Sequence, residues 1–119
     1  MESYVIDGKL IFKNPHTGEV IWKWKPDNRK VMSAIYIPDR NIFFVLLDWR
    51  DHTVKSPDKN LFCMDTNKKI IWYAELPKND KSWYIVMSYH DQRLFANTLE
   101  YYVEIDSYDG HVLTEDWTK

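Results

Sequence analysis

Three stretches decide the fold: Asn14-Pro15-His16-Thr17-Gly18-Glu19-Val20-Ile21-Trp22, Asp65-Thr66-Asn67-Lys68-Lys69-Ile70-Ile71-Trp72, and Asp106-Ser107-Tyr108-Asp109-Gly110-His111-Val112-Leu113-Thr114. Each opens on Asn or Asp, passes through a polar turn and runs into an apolar strand. Four places beyond Gly18, Lys68 and Gly110 stand Trp22, Trp72 and Thr114, and the copies follow at intervals of 50 and 42 residues. A recurrence of that length marks a repeated supersecondary unit, and the spacing suits four strands of a propeller-type or barrel-like array. Gly18 and Gly110 sit where a tight turn needs positive φ. The middle turn is one residue shorter, and Asn67 is expected to take its left-handed position. The third copy has Thr where the others have Trp, as a terminal repeat would.

Working outward from the turns, short β-branched and aromatic runs between polar connections predict strands near 3–6, 9–14, 19–25, 31–37, 42–49, 60–65, 69–76, 83–88, 93–98, 101–106 and 111–115. Nothing reads as a long helix. Asp7-Gly8 and Asp109-Gly110 are hairpin dipeptides, and Pro38-Asp39-Arg40-Asn41 and His90-Asp91-Gln92-Arg93 are polar connections of hairpin length. Alternation in Glu19–Lys25 puts Val20, Trp22 and Trp24 on one face and Glu19, Ile21, Lys23 and Lys25 on the other. Ile42-Phe43-Phe44-Val45-Leu46-Leu47 is apolar on both faces and therefore belongs in the middle of the core.

The expected fold is all-β, a single domain over residues 1–119 made of about three imperfect repeats (3–25, 31–76 and 83–115). The repeats form a partial, propeller-like array of antiparallel sheets. Closed propellers use about four to eight blades, so this one stays open. Its end faces need a partner, a second copy or a cap of Lys and Glu on the outermost strands.

The turn-and-Trp pattern resembles the repeat of quinoprotein-like β-propellers, in which a strand ends in Asp, a Thr-Gly turn follows and the next strand carries Trp. Thr17-Gly18 with Trp22 matches best, Asp65-Thr66 with Trp72 in part, and Asp106 with Gly110 in part. The resemblance implies a Trp packed between neighbouring blades. Enzymes of that family hold a quinone and calcium in a larger closed ring, and a chain this short is not expected to carry either. Small stand-alone versions look similar to immunity proteins encoded beside bacterial toxins, including those of contact-dependent growth inhibition.

Composition narrows the function. Forty-five per cent apolar and 16% aromatic residues, with six Trp and eight Tyr, describe a chain with ample core-forming material. The net charge of −2 excludes a strongly basic nucleic-acid binder, yet it hides an asymmetry. Residues 1–93 carry fifteen Lys or Arg against twelve acids, whereas 94–119 carry Glu100, Glu104, Asp106, Asp109, Glu115 and Asp116 against Lys119 alone. Such a skew can steer a basic partner. Cys63, in an apolar run, reads as a buried structural thiol. The N-terminal residues show no signal-peptide pattern and no apolar run is long enough to span a membrane, so a cytoplasmic location is expected.

No catalytic residue, cofactor or metal ligand is assigned. His16, His52, His90 and His111 lack metal-site spacing, no Gly-rich phosphate loop or Gly-x-Ser-x-Gly motif occurs, and Asp48-Trp49-Arg50-Asp51-His52-Thr53 reads as a surface loop. Nucleic-acid binding is disfavoured because Trp22 and Trp24 point inward while the neighbouring lysines point out. A protein-binding module remains, with Trp49, Trp83, Tyr101, Glu100, Glu104, Asp106 and Asp109 as the expected contact residues and a basic toxin domain as the expected partner. The alternatives are an oligomeric scaffold or ligand sensor, with a homodimer completing a ring, and a small hydrolase-like enzyme.

Overall fold

Ile42–Leu47 is buried along its whole length, and this one strand organises the molecule. Its even-numbered side chains Ile42, Phe44 and Leu46 enter one core, while Phe43, Val45 and Leu47 enter another. A period of two along an extended chain demands this split once layers lie on both sides.

The computed structural model describes residues 3–14, 16–25, 29–49, 59–78 and 83–117. Among them are eleven strands: β1 (Ser3–Ile6), β2 (Lys9–Lys13), β3 (Val20–Trp24), β4 (Val31–Ile37), β5 (Ile42–Leu47), β6 (Leu61–Asp65), β7 (Ile70–Tyr73), β8 (Val86–His90), β9 (Arg93–Asn97), β10 (Tyr101–Ile105) and β11 (Val112–Trp117). They form three antiparallel meanders, β1-β2-β3, β4-β5-β6-β7 and β8-β9-β10-β11. The all-β, unclosed array expected from the repeats is the fold observed.

The middle sheet lies between the other two. Toward the first sheet it buries Phe43, Val45, Leu47, Phe62 and Met64 against Leu10, Phe12, Trp22 and Trp24. Toward the third it buries Phe44, Leu46, Leu61, Cys63 and Trp72 against Met87, Leu94, Ala96, Val103 and Ile105. Full burial of one such Phe or Leu stabilises by about 1.5–3 kcal/mol. Desolvation pushes the Cys63 thiol up to about 11, opposed by the field of Arg40 and reinforced by that of Asp65.

The three repeated turns are built alike. Asn14 Oδ1 accepts from His16 N and Thr17 N, Asp65 Oδ1 from Asn67 N and Lys69 N, and Asp106 Oδ1 from Tyr108 N and Asp109 N, at 2.8–3.2 Å. The left-handed residues are Gly18, Lys68 and Gly110, with φ of 74°, 69° and 85°. In the middle copy the position therefore falls to Lys68 and not to Asn67. Lys68 N donates to Asp65 O at 3.1 Å and closes a four-residue turn with Asn67 at its third position, so the αL residue follows the turn, whereas the longer turns close with Gly18 N on Asn14 O and Gly110 N on Asp106 O.

After each turn comes a register shift, between Phe12/Lys13, Cys63/Met64 and Glu104/Ile105. Ile21, Ile71 and Leu113 are the extra residues, each about half exposed at 51%, 52% and 47%. The bulge explains a departure from the alternation read in the sequence. Val20 precedes it, pairs with Lys13 and is exposed, while Trp22 and Trp24 lie inward as expected.

Strand ends also differ from expectation near 74–77 and 83–85. There the chain leaves one ladder for another: Ala74 N donates to Leu61 O at 2.9 Å, Glu75 N to Gly110 O at 2.8 Å and Ile85 N to Asn97 O at 2.8 Å. Asp7-Gly8 and Asp91-Gln92 turn with both residues at positive φ, the geometry of tight hairpins.

Candidate protein-binding surface

Two ends of the array differ in construction. One end carries the three Asx-capped turns together with the 3-10 turn Pro38–Arg40. The other carries the longer connections, and there Trp49 follows β5 and Trp83 precedes β8. Their indoles stack with centroids 6.1 Å apart and planes 15° from parallel, and both residues are half-buried.

A fully buried asparagine holds the segment behind this stack. Asn60 Nδ2 donates to Tyr84 O at 2.6 Å and to Leu47 O at 3.2 Å, while Asn60 Oδ1 accepts from Tyr84 N at 3.1 Å. One side chain thus replaces a piece of β-ladder between the middle and third sheets. Tyr84, with no exposed surface, adds a hydroxyl bond to Glu75 O. Arg29 and Asp48 are buried at the same end, and Asp48 N donates to Lys30 O at 2.7 Å.

The remaining expected contact residues do not form one patch. Glu100 is exposed in the β9–β10 bend, at the same end as Trp83. Tyr101 packs against the core between the middle and third sheets. Glu104 lies on the open face of the third sheet, where it takes a two-pronged bond from Arg93 at 3.0 and 2.6 Å. That bond holds the Glu104 carboxyl below its ordinary range and raises Arg93.

Asp106 and Asp109 lie at the opposite end, inside the third turn. Asp109 Oδ1 accepts from His111 N at 3.0 Å and meets His111 Nδ1. These contacts hold Asp109 low, the backbone bond foremost, and raise His111. Asp106, Asp109 and His111 offer ligand atoms within 4.8 Å of one another. Turn capping already uses an oxygen of each aspartate, and this local bonding accounts for the cluster. Residues 50–53 of the acid-rich loop read in the sequence, His52 included, lie outside the described residues.

Sequence reasoning missed three groups that shape these surfaces. Asn60 heads an apolar strand, and only its isolation there could have drawn notice. Arg40 donates to Ser107 Oγ and Ser107 O at 3.1 and 2.7 Å and stacks 3.9 Å from the Tyr108 ring, docking the third turn on the middle sheet. On the open face of the third sheet, Phe95 is covered by His90 and Tyr102, stacked at 4.7 and 5.6 Å, with Arg93 over its ring at 5.2 Å. Phe95 is thus covered by side chains of its own sheet.

No protein-family model matches the chain, and a search of curated proteins returns no relative. No helix among the described residues is long and apolar enough to cross a membrane.

Proposed function

We propose that this chain is a non-enzymatic protein-binding module, specifically a cytoplasmic immunity protein that binds and neutralises a bacterial toxin domain. The contact-dependent inhibition class, with a basic nuclease as toxin, fits its charge. The observation that carries the reading is the Trp49–Trp83 stack beside the buried Asn60 clasp. Rigid, half-exposed indoles in a pre-organised frame lose little entropy on association and are the residues that dominate interface energy. Glu100, at the same end, supplies the charge a basic partner meets. The two Trp residues that pack between consecutive sheets, Trp22 and Trp72, favour kinship with quinoprotein-like repeats as the origin of the fold.

The test is rescue. Bacteria expressing a basic nuclease toxin domain that the chain binds should survive when the chain is co-expressed. Trp83→Ala should weaken binding about 30-fold or more, the effect of losing a hot spot worth about 2 kcal/mol. Charge reversal at Glu100 should slow association and flatten its salt dependence. A toxin that kills despite folded, abundant protein overturns the immunity reading, and unaltered affinity in Trp83→Ala moves the contact surface elsewhere.

A further inference from the structure

The same junction joins the first sheet to the middle one and the middle sheet to the third. Phe12, Cys63 and Glu104 stand at one equivalent position, opposite Trp22, Trp72 and Thr114. Trp22 Nε1 donates to Thr66 O in the next turn at 2.9 Å, and Trp72 lies over Gly110 in the turn after that. The forward face of each sheet thus clasps the turn of its successor.

At the ends of the chain this order is left unfinished in complementary ways. The backward face of the first sheet presents Lys9 and Lys23 around Ile6 and Ile11; Lys9, Lys23 and Ile6 are exposed. Its receiving turn is open, since a β-carbon on Gly18 would meet nothing within 4 Å, whereas one on Gly110 would strike Trp72 at 2.5 Å. The forward face of the third sheet presents exposed Thr114 and Asp116 beside Tyr102, the half-exposed Val86 and the bridged Glu104. Two lysines stand on one face; on the other Asp116 stands beside the Arg93–Glu104 bridge, whose charges offset each other, so the net charges of the two faces are opposite, and Thr114 occupies the place that Trp22 and Trp72 hold inside the stack.

We propose that the forward face of the third sheet docks on the backward face of the first sheet of a second copy, and reciprocally, so that two chains close a ring of six sheets. Three sheets per chain doubled falls inside the range of about four to eight that closed propellers use. A head-to-tail contact that returns to its start after two copies is a closed twofold arrangement and leaves neither face open. With Thr114 in place of the clasping Trp, the joint is polar and opposite charges hold it, so it weakens with salt. This arrangement stands independently of toxin binding.

Sedimentation of the full chain over a concentration series, in about 0.05 M and about 1 M salt, tests it. The expected result is a monomer–dimer equilibrium that shifts to monomer in high salt. Lys23→Glu and Asp116→Lys should each raise the dimer dissociation constant about tenfold, and the double reversal in one chain should recover the wild-type value. Lys9→Glu serves as a second acceptor-side variant if Lys23→Glu disturbs the circular dichroism spectrum. A monomer at every concentration, open polymers without a dimer end-point, or a dimer indifferent to both reversals would overturn the proposal.

Discussion

The indole of Trp72 lies directly on the α-carbon of Gly110, so close that a β-carbon there would sit 2.5 Å from Cε3 and 2.8 Å from Cδ2. The contact joins the last strand of the middle sheet to the turn of the third. Glu75 reinforces it, donating its N–H to Gly110 O at 2.8 Å and accepting from Val112 N at 2.9 Å. Gly110→Ala should therefore cost more than the left-handed strain alone. About 1–2 kcal/mol is expected for the strain and about 1–3 more for overpacking. Gly18→Ala, at φ 74° but in open space, should cost only the first part. Urea unfolding of both variants checks this, and Trp72→Leu should relieve Gly110→Ala non-additively. Equal losses in the two glycine variants would show that the indole does not bear on the turn.

Asn60 should be among the least replaceable polar residues. Asn60→Ala strands Tyr84 N and two carbonyls in a dry site, and a loss of about 2–4 kcal/mol is expected. The near-ultraviolet circular dichroism of the Trp49–Trp83 pair should fade with it, because Asn60 fixes the segment that carries Trp83. A destabilised variant with an unchanged spectrum would separate the clasp from the stack.

Phe44 and Ile71 offer a contrast in burial. Phe44→Ala opens a cavity between the middle and third sheets beside Trp72 and Tyr89, and about 3–5 kcal/mol should be lost. Ile71, 52% exposed on its bulge, should lose about 0.5 kcal/mol or less as Ala. Denaturant midpoints measured side by side decide the matter.

His111 and Asp109 give the third turn a pH signature. His111 is raised, so its contribution is complete below its unfolded value of about 6.5 and fades as pH rises through the higher folded value. Asp109 is lowered, so its contribution is complete above about 3.9 and fades as pH falls through the lower folded value. The pair is firmest between those two limits, and solvent keeps the effect modest because both side chains are exposed. Titration of the His111 ring protons by NMR should show a lower midpoint in Asp109→Asn, and an unchanged midpoint would refute the coupling.

Legibility followed the range of the interactions. The strand order, the three Asx turns and the central place of Ile42–Leu47 were readable because they depend on neighbours two to five residues apart. Two local details were not. Val20 leaves the inward face at a bulge whose register depends on Lys13 across the ladder, and Lys68 takes the left-handed position because its N–H closes the shorter turn on Asp65 O, with Asn67 inside it. Of the expected contact residues, Trp49 and Trp83 meet across 34 positions of chain, while Glu100, Glu104 and Asp106, near neighbours in sequence, lie respectively at one end, on an open face and at the other end. A strand carries residues at its two ends more than 10 Å apart, so a run of charge in sequence is not a patch.

From the amino-acid order alone came the β class, the threefold repeat and the incompleteness of the array, all written in local periodicity and turn chemistry. Only tertiary structure decided what the repeat accomplishes. Trp22 and Trp72 clasp the following turn, Asn60 ties Leu47 to Tyr84, and Arg93 bridges Glu104 over Phe95. Each of these depends on which sheet lies next to which, a relation between distant segments that packing selects and that no local pattern encodes.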